Sequence, residues 1–148
     1  MFLIGIFWKN CEPPYTPGVY GAKAVMMKNM KFLITGAGGQ LARAFISSLE
    51  AQGLAYLAPR KDQMDITDPG QVLAVAGRYR PDILINCAAC NQVDIAQEHP
   101  AAAFSVNSDA VGNLAAACKH LNIFLVHFSS DYIFDGKNPK GYDEHAHP

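Results

Sequence analysis

No stretch of this sequence approaches the roughly 18 consecutive apolar residues of a membrane-spanning helix. The apolar opening MFLIGIFW has no basic lead-in and no small-residue cleavage pattern close behind it, so a secretory signal is not expected. An excess of charge is missing too: the net charge is -1, which gives no electrostatic case for nucleic acid or an anionic membrane as partner. Cysteine is sparse. Cys11, Cys87, Cys90 and Cys118 are too few and too scattered for a disulfide scaffold, and a reducing, cytoplasmic setting is the expectation. Cys87 and Cys90 form a C-x-x-C, but no second pair completes a zinc site. None of His99, His120, His127, His145 and His147 makes an i,i+4 pair beside a carboxylate on a helix. Buried thiols and no metal site are therefore expected.

What is present is a chain of 148 residues, half of them apolar, which is enough for one domain with its own core. Residues 1–29 read as an irregular leader, because CEPPYTPGVYGAKA is dense in proline and glycine; Met26, Met27 and Met30 are alternative starts. From Met30 the pattern becomes regular. KFLIT (31–35) is a short buried strand, followed by a helix from Gln40 to about Gln52 whose Leu41, Ala42, Phe45, Ile46 and Leu49 keep helical spacing. LAYLA (54–58) is a second strand. Asp68 caps a helix with Pro69 in its first turn, which carries Val72, Leu73 and Val75 as far as Tyr79. DILINC (82–87) is a third strand. A long helix is expected from near Pro100 to His120, its face marked by Phe104, Val111, Leu114 and Cys118 and interrupted by the amide of Asn107. IFLVHF (123–128) is a fourth strand.

Strands that alternate with helices, and are apolar throughout, imply an α/β domain with a doubly wound parallel sheet covered on both faces. Ligands of such sheets bind beyond the carboxyl ends of the strands. The unusual stretches of this chain fall at those ends. Gly36, Gly38 and Gly39 stand between the first regular strand and the first helix, where glycine lets a diphosphate approach the main chain. The helix after them offers unpaired N–H groups and a partial positive charge. The spacing is G-x-x-G-x-x-A through Gly36, Gly39 and Ala42, with Thr35 before it. A dinucleotide site is the reading, against a tight turn with no ligand. The second strand runs out into Arg60 and Lys61 rather than an acidic residue, so the ribose 2′-phosphate of NADP(H) is favoured over NAD(H), with Lys61 equally a solvated loop charge.

TGAGGQLA, DITD, NCAACNQVD and HFSSDYIFDG together resemble the dTDP-4-dehydrorhamnose reductases, extended short-chain dehydrogenases/reductases of sugar-nucleotide metabolism, from Met30 to the end of the chain. The resemblance implies a Rossmann-type NAD(P)-binding domain over 30–148, incomplete at its carboxyl end. It also implies reduction of dTDP-4-dehydro-6-deoxy-L-mannose to dTDP-L-rhamnose, a nucleotide-sugar partner, and is compatible with a homodimer. By the same resemblance Gly36, Gly39, Gln40 and Leu41 line the diphosphate, with Gly38 in the same turn. Asp65 and Ile66 border the adenine, Asp65 being equally a turn residue on its own chemistry. Ala88, Ala89 and Cys90 run along the nicotinamide-side ribose. Ser130 matches the catalytic Ser/Thr and a substrate contact, and Asp131 a second substrate contact. Asn107 supports the site from behind, or equally makes a plain structural hydrogen bond. The chain departs from the family at Cys90 and Asn91, where an aromatic and a threonine are common, and at Ile95 and Gln97, where Lys and Glu are.

In this superfamily the proton donor is a tyrosine with a lysine four residues on, because a phenol needs a nearby cation to exchange protons at neutral pH. Tyr15, Tyr20, Tyr56, Tyr79, Tyr132 and Tyr142 are followed four positions later by Val19, Ala24, Arg60, Ile83, Gly136 and Ala146. The chain as it stands is therefore expected to hold a dinucleotide with little or no turnover. A non-catalytic dinucleotide-binding or regulatory module is one alternative, and a sugar-nucleotide epimerase of the same superfamily is another.

Overall fold

The computed structural model describes residues 2–6, 29–130, 133–139, 141–143 and 146, with the backbone alone along 2–6 and at 93 and 95. Five strands form one sheet: β1 (Phe2–Ile6), β2 (Lys31–Thr35), β3 (Ala55–Leu57), β4 (Ile83–Asn86) and β5 (Phe124–Ser130). Their order is β1-β5-β4-β2-β3. The pairs of β2 with β3, β2 with β4, and β4 with β5 are parallel. Between strands lie α1 (Gln40–Ala51), α2 (Pro69–Tyr79), the short α3 (Val93–Glu98) and α4 (Pro100–Phe104), a π-helical turn (Ser105–Asp109) and α5 (Ala110–Leu121).

Alternation along β2 explains how this sheet buries both faces. Phe32 and Ile34 point to one side, where Ala42 and Leu49 of α1 cover them together with Leu54 and Ile85. Leu33 points to the other, where it joins Leu84, Leu125, Val72 and Ala76 of α2, and Leu114, Ala117 and Cys118 of α5. The register places Leu33 opposite Leu84 and Leu84 opposite Leu125, an apolar ladder across the centre of the sheet. Asp82 aligns the strand starts: its carboxylate accepts from the Lys31 amide at 2.8 Å, and its carbonyl accepts from the Phe124 amide at 2.9 Å. Chain order places β3 on one side of β2 and β4 on the other, so the direction of winding reverses between β2 and β4.

Three expectations need correction. The leader is not irregular at its beginning, since Phe2–Ile6 forms a strand antiparallel to β5. The physical reason is the bare edge of β5, whose amides and carbonyls an apolar extended segment can satisfy. Residues 7–28 lie outside those described. The long helix from Pro100 is not uniform, because the π turn at Ser105–Asp109 splits it and a separate short helix precedes it. A π turn adds a residue to the repeat and shifts the apolar face. Phe104, ahead of it, is 69% exposed, while Ala110 and Leu114, after it, are fully buried. Leu41 and Leu73 are likewise exposed, although their spacing matched the buried face.

Candidate functional site

An open crevice of about 1670 Å³ lies at the carboxyl ends of the parallel strands. Its wall is formed by the turn after β2, the segment after β3, the segment after β4 and the end of β5. Gly36, Gly38, Gly39, Gln40, Leu41, Arg60, Asp65, Ile66, Ala88, Ala89, Cys90 and Ser130 all border this one space. Asp131, also a candidate, lies outside the described residues.

The turn after β2 has a geometry only glycine allows. Gly36 sits at φ +68, and a Cβ there would stand 2.7 Å from the amide nitrogen of Ala88 and from the carbonyl carbon of Cys87. The turn therefore packs directly on the segment after β4. Gly38 is different, since a Cβ on it would meet nothing within 4 Å and would project into open space. The Gly39 amide donates to the Gly36 carbonyl at 2.9 Å and closes the turn, and the Arg43 guanidinium donates to the Gly38 carbonyl at 2.8 Å. Gly39 then becomes the N-cap of α1, with no side-chain cap and no acidic residue in the first turn. The first amides of a twelve-residue helix are left for whatever enters the crevice, and its partial positive charge favours an anion.

Past β3, Arg60 and Lys61 border the crevice with strongly exposed side chains, paired with Asp62 at 3.8 Å and with Asp65 at 3.7 Å respectively. Exposed pairs of this kind are weak, so either cation can change partner at little cost. Asp65 is also a turn residue. Its carboxylate accepts from the Thr67 hydroxyl at 2.7 Å and the Thr67 amide at 2.9 Å, bonds that hold its pKa below the usual carboxylate value, with help from nearby Lys61. Ile66 packs with Met64 in the core while bordering the crevice.

The segment after β4 is held at both ends. The buried Asn86 accepts from the Ala88 amide at 3.2 Å, and Asn107, carried on the π turn, brackets Cys90. Asn107 Oδ1 accepts from the Cys90 amide at 2.8 Å and its Nδ2 donates to the Cys90 carbonyl at 2.9 Å. Burial pushes the Cys87 thiol up to about 11, so it is neutral and unreactive at ordinary pH. Cys118, in the core, is pushed up to about 12 by the same cause. No group of three or more His, Cys, Asp or Glu able to hold a metal ion occurs among the described residues.

Ser129 and Ser130 are the last residues of β5 and half-buried at the crevice. Thr35, Asn86 and His127 also border it, and sequence reasoning gave the last two no role there. A signal existed in the polar residues that close otherwise apolar strands, but their alignment depends on register.

The family model described as RmlD substrate binding domain matches residues 30–148. The chain belongs to the RmlD substrate-binding-domain family. A dTDP-4-dehydrorhamnose reductase of Streptomyces griseus is 37% identical over 80% of this chain and 38% of its own length. The bovine protein named methionine adenosyltransferase 2 subunit beta is 35% identical over 81% of this chain and 38% of its own length. Among solved structures, a dTDP-4-dehydrorhamnose reductase from Bacillus anthracis in complex with NADP superimposes with a TM-score of 0.74 at 34% identity, covering 81% of this chain and 43% of that one. This RmlD-family chain thus spans about two fifths of the length of the relatives it matches.

Proposed function

We propose that this chain is the dinucleotide-holding part of a sugar-nucleotide reductase, binding NADP(H) in preference to NAD(H), and that the reaction it belongs to is reduction of dTDP-4-dehydro-6-deoxy-L-mannose to dTDP-L-rhamnose. The observation that carries the reading is the uncapped start of α1 behind Gly36, Gly38 and Gly39, open to the crevice and free of acidic residues. A diphosphate fits there because Gly38 leaves room for it and the amides of Gln40 and Leu41 stand at the positive end of the helix. The NADP named with the Bacillus anthracis relative supports the choice of nucleotide, as does Arg60 at the rim.

In this reading Arg60 exchanges its weak pairing with Asp62 for the 2′-phosphate, a charge-assisted contact. Asp65 and Ile66 border the adenine, and Ala88, Ala89 and Cys90 lie along the second ribose, held in place by Asn86 and Asn107. When bound, NADPH supplies the hydride. The Ser130 hydroxyl at the end of β5 donates to the ketone oxygen of the sugar and steadies the negative charge that develops there. Asp131 makes a second contact to the substrate. No tyrosine in the chain is followed four residues on by a lysine, so binding without appreciable turnover is expected of the 148-residue polypeptide.

Calorimetric titration of the purified, folded chain tests this. Saturable binding of NADP+ is expected, weaker for NAD+, with the difference reduced about tenfold in Arg60→Ala. A folded chain that takes up neither nucleotide would sink the reading, and equal affinity for both would remove the role of Arg60. Reductase turnover at the level of the longer relatives would overturn the expectation of inactivity. The similarity to methionine adenosyltransferase 2 subunit beta favours a second reading, a dinucleotide-binding subunit without catalysis. Nucleotide binding that strengthens association with a partner enzyme would separate it from the first.

A further inference from the structure

The apolar ladder of Leu33, Leu84 and Leu125 has a polar counterpart one pleat nearer the crevice. Thr35 is opposite Asn86, and Asn86 opposite His127, so these three side chains stand in a row across β2, β4 and β5. Thr35 and Asn86 are each 1% exposed. The Thr35 hydroxyl donates to Asn86 Oδ1 at 2.5 Å, and the same oxygen accepts from the Ala88 amide at 3.2 Å. With its oxygen committed, Asn86 can offer only its NH2 on the other side, where His127 Nδ1 lies at 3.0 Å. An amide nitrogen has no acceptor capacity, so Nδ1 must be the acceptor and the neutral ring carries its proton on Nε2.

A proton on Nδ1 would set two donors against each other. Asn86 could restore its bond to His127 only by turning its amide over, which would take away the nearer of the two acceptors of the Ala88 amide and leave it the Thr35 hydroxyl oxygen at 3.4 Å. Ala88 is the residue packed beneath Gly36, under the turn at the start of α1. We propose that His127 is a positioning residue whose neutral ring, through Asn86, holds the Ala88 peptide in place beneath the glycine turn, and that its protonation loosens the crevice for a dinucleotide. Its geometry stands alone; its consequence for binding rests on the function proposed above.

The surroundings leave His127 responsive to pH. Half-burial lowers its pKa from the usual histidine value, with no charge among the described residues contributing. Across the ladder are Asn86, which does not ionise, and Gly5 of β1, which has no side chain. On the same face of the sheet the core holds Val106, Ala110 and Leu114, with Cys118 and Tyr79 its ionisable groups, both pushed up by burial and neutral at ordinary pH. Cys87 ends β4, and its thiol is also neutral. Among the described residues, the charged groups bordering the crevice are Arg43, Arg60, Lys61 and Asp65.

The test is a pair of measurements on the whole chain. Nitrogen-15 NMR of the histidine rings reads the tautomer of His127, and the Ala88 amide shift is followed between pH 7.5 and 5. Affinity is measured calorimetrically over the same range with NAD+, which lacks the 2′-phosphate that itself titrates at about pH 6. A proton on Nε2, an Ala88 shift with the same midpoint as His127, and affinity falling about tenfold toward pH 5 are expected. In His127→Gln the pH dependence should shrink to less than about twofold, whereas His120→Gln, exposed on α5, should keep it. A ring protonated on Nδ1 at pH 7.5, or an Ala88 amide indifferent to His127, overturns the proposal. If the amide follows His127 but no nucleotide binds at any pH, the coupling stands and the dinucleotide reading fails.

Discussion

Helix α2 begins with its own anion. The Asp68 carboxylate accepts from the amides of Gly70 at 2.8 Å and Gln71 at 3.1 Å, and the Gln71 side chain returns a bond to it at 3.0 Å. Helix α1, of nearly the same length and also following a parallel strand, begins with Gly39 and has no side-chain cap at all. The first arrangement satisfies the orphan amides from within and leaves nothing for a ligand. The second leaves them open at the one place where the sheet reverses its winding and a crevice forms. A helix start that is filled from within and one that stays open thus differ by one residue type at the cap.

Four measurements break or sharpen that contrast. The largest effect is expected from Gly36→Ala, which forces a side chain into left-handed backbone and against the Ala88 peptide. Urea unfolding should show a loss of about 3 kcal/mol, with NADP+ binding abolished. An alanine variant as stable as the parent would mean the turn is not pinned to the segment after β4. Next comes Gln40→Glu, which places an acid in the exposed first turn of α1. It should leave the fold as stable or slightly more so, while lowering NADP+ affinity about tenfold, because the helix then carries its own counter-charge. Unchanged affinity would show that the diphosphate does not sit there.

Asp68→Ala makes the complementary change at α2. The melting temperature should fall by a few degrees with NADP+ affinity unaltered, since the cap serves the helix and not the crevice. Loss of binding in this variant would erase the distinction between the two helices. The smallest effect concerns pH. Hydrogen bonds from Gln71, first through its backbone, hold the Asp68 carboxyl below the usual carboxylate value. A carboxyl depressed in the folded state stabilises above its unfolded pKa, and that contribution disappears as pH falls through the folded one. Resistance to thermal unfolding should therefore weaken below about pH 4, and that of Asp68→Ala should weaken less steeply over the same window.

Where local pattern carried the information, the chain was legible. KFLIT, DILINC and IFLVHF are apolar on both faces, which is what a strand covered by helices on each side requires, and Asp68-Pro69 announces a helix start by cap chemistry alone. The glycines at 36, 38 and 39 could be placed at the crevice because strand and helix flank them. Periodicity failed at Phe104, because a π turn changes the repeat without any local residue demanding it. It failed again at Leu41, whose spacing matches the buried stripe although a ligand-sized opening lies beside it. The strand at Phe2–Ile6 was missed for a related reason, since only the edge of β5, far away in the chain, gives an extended apolar segment something to pair with.

By itself the sequence determined the alternation of strand and helix, the parallel sheet that follows from it, and the glycine turn with an uncapped helix behind it. These depend on neighbours within a few positions, where backbone sterics and side-chain caps act. Only the tertiary structure decided that Thr35, Asn86 and His127 form one row, that Asn107 brackets Cys90, and that Gly36 rests on Ala88. Those contacts join residues from 17 to more than 50 positions apart. They exist because strand register, set by burying the leucine ladder beneath, carries the polar ends of three strands to the same level.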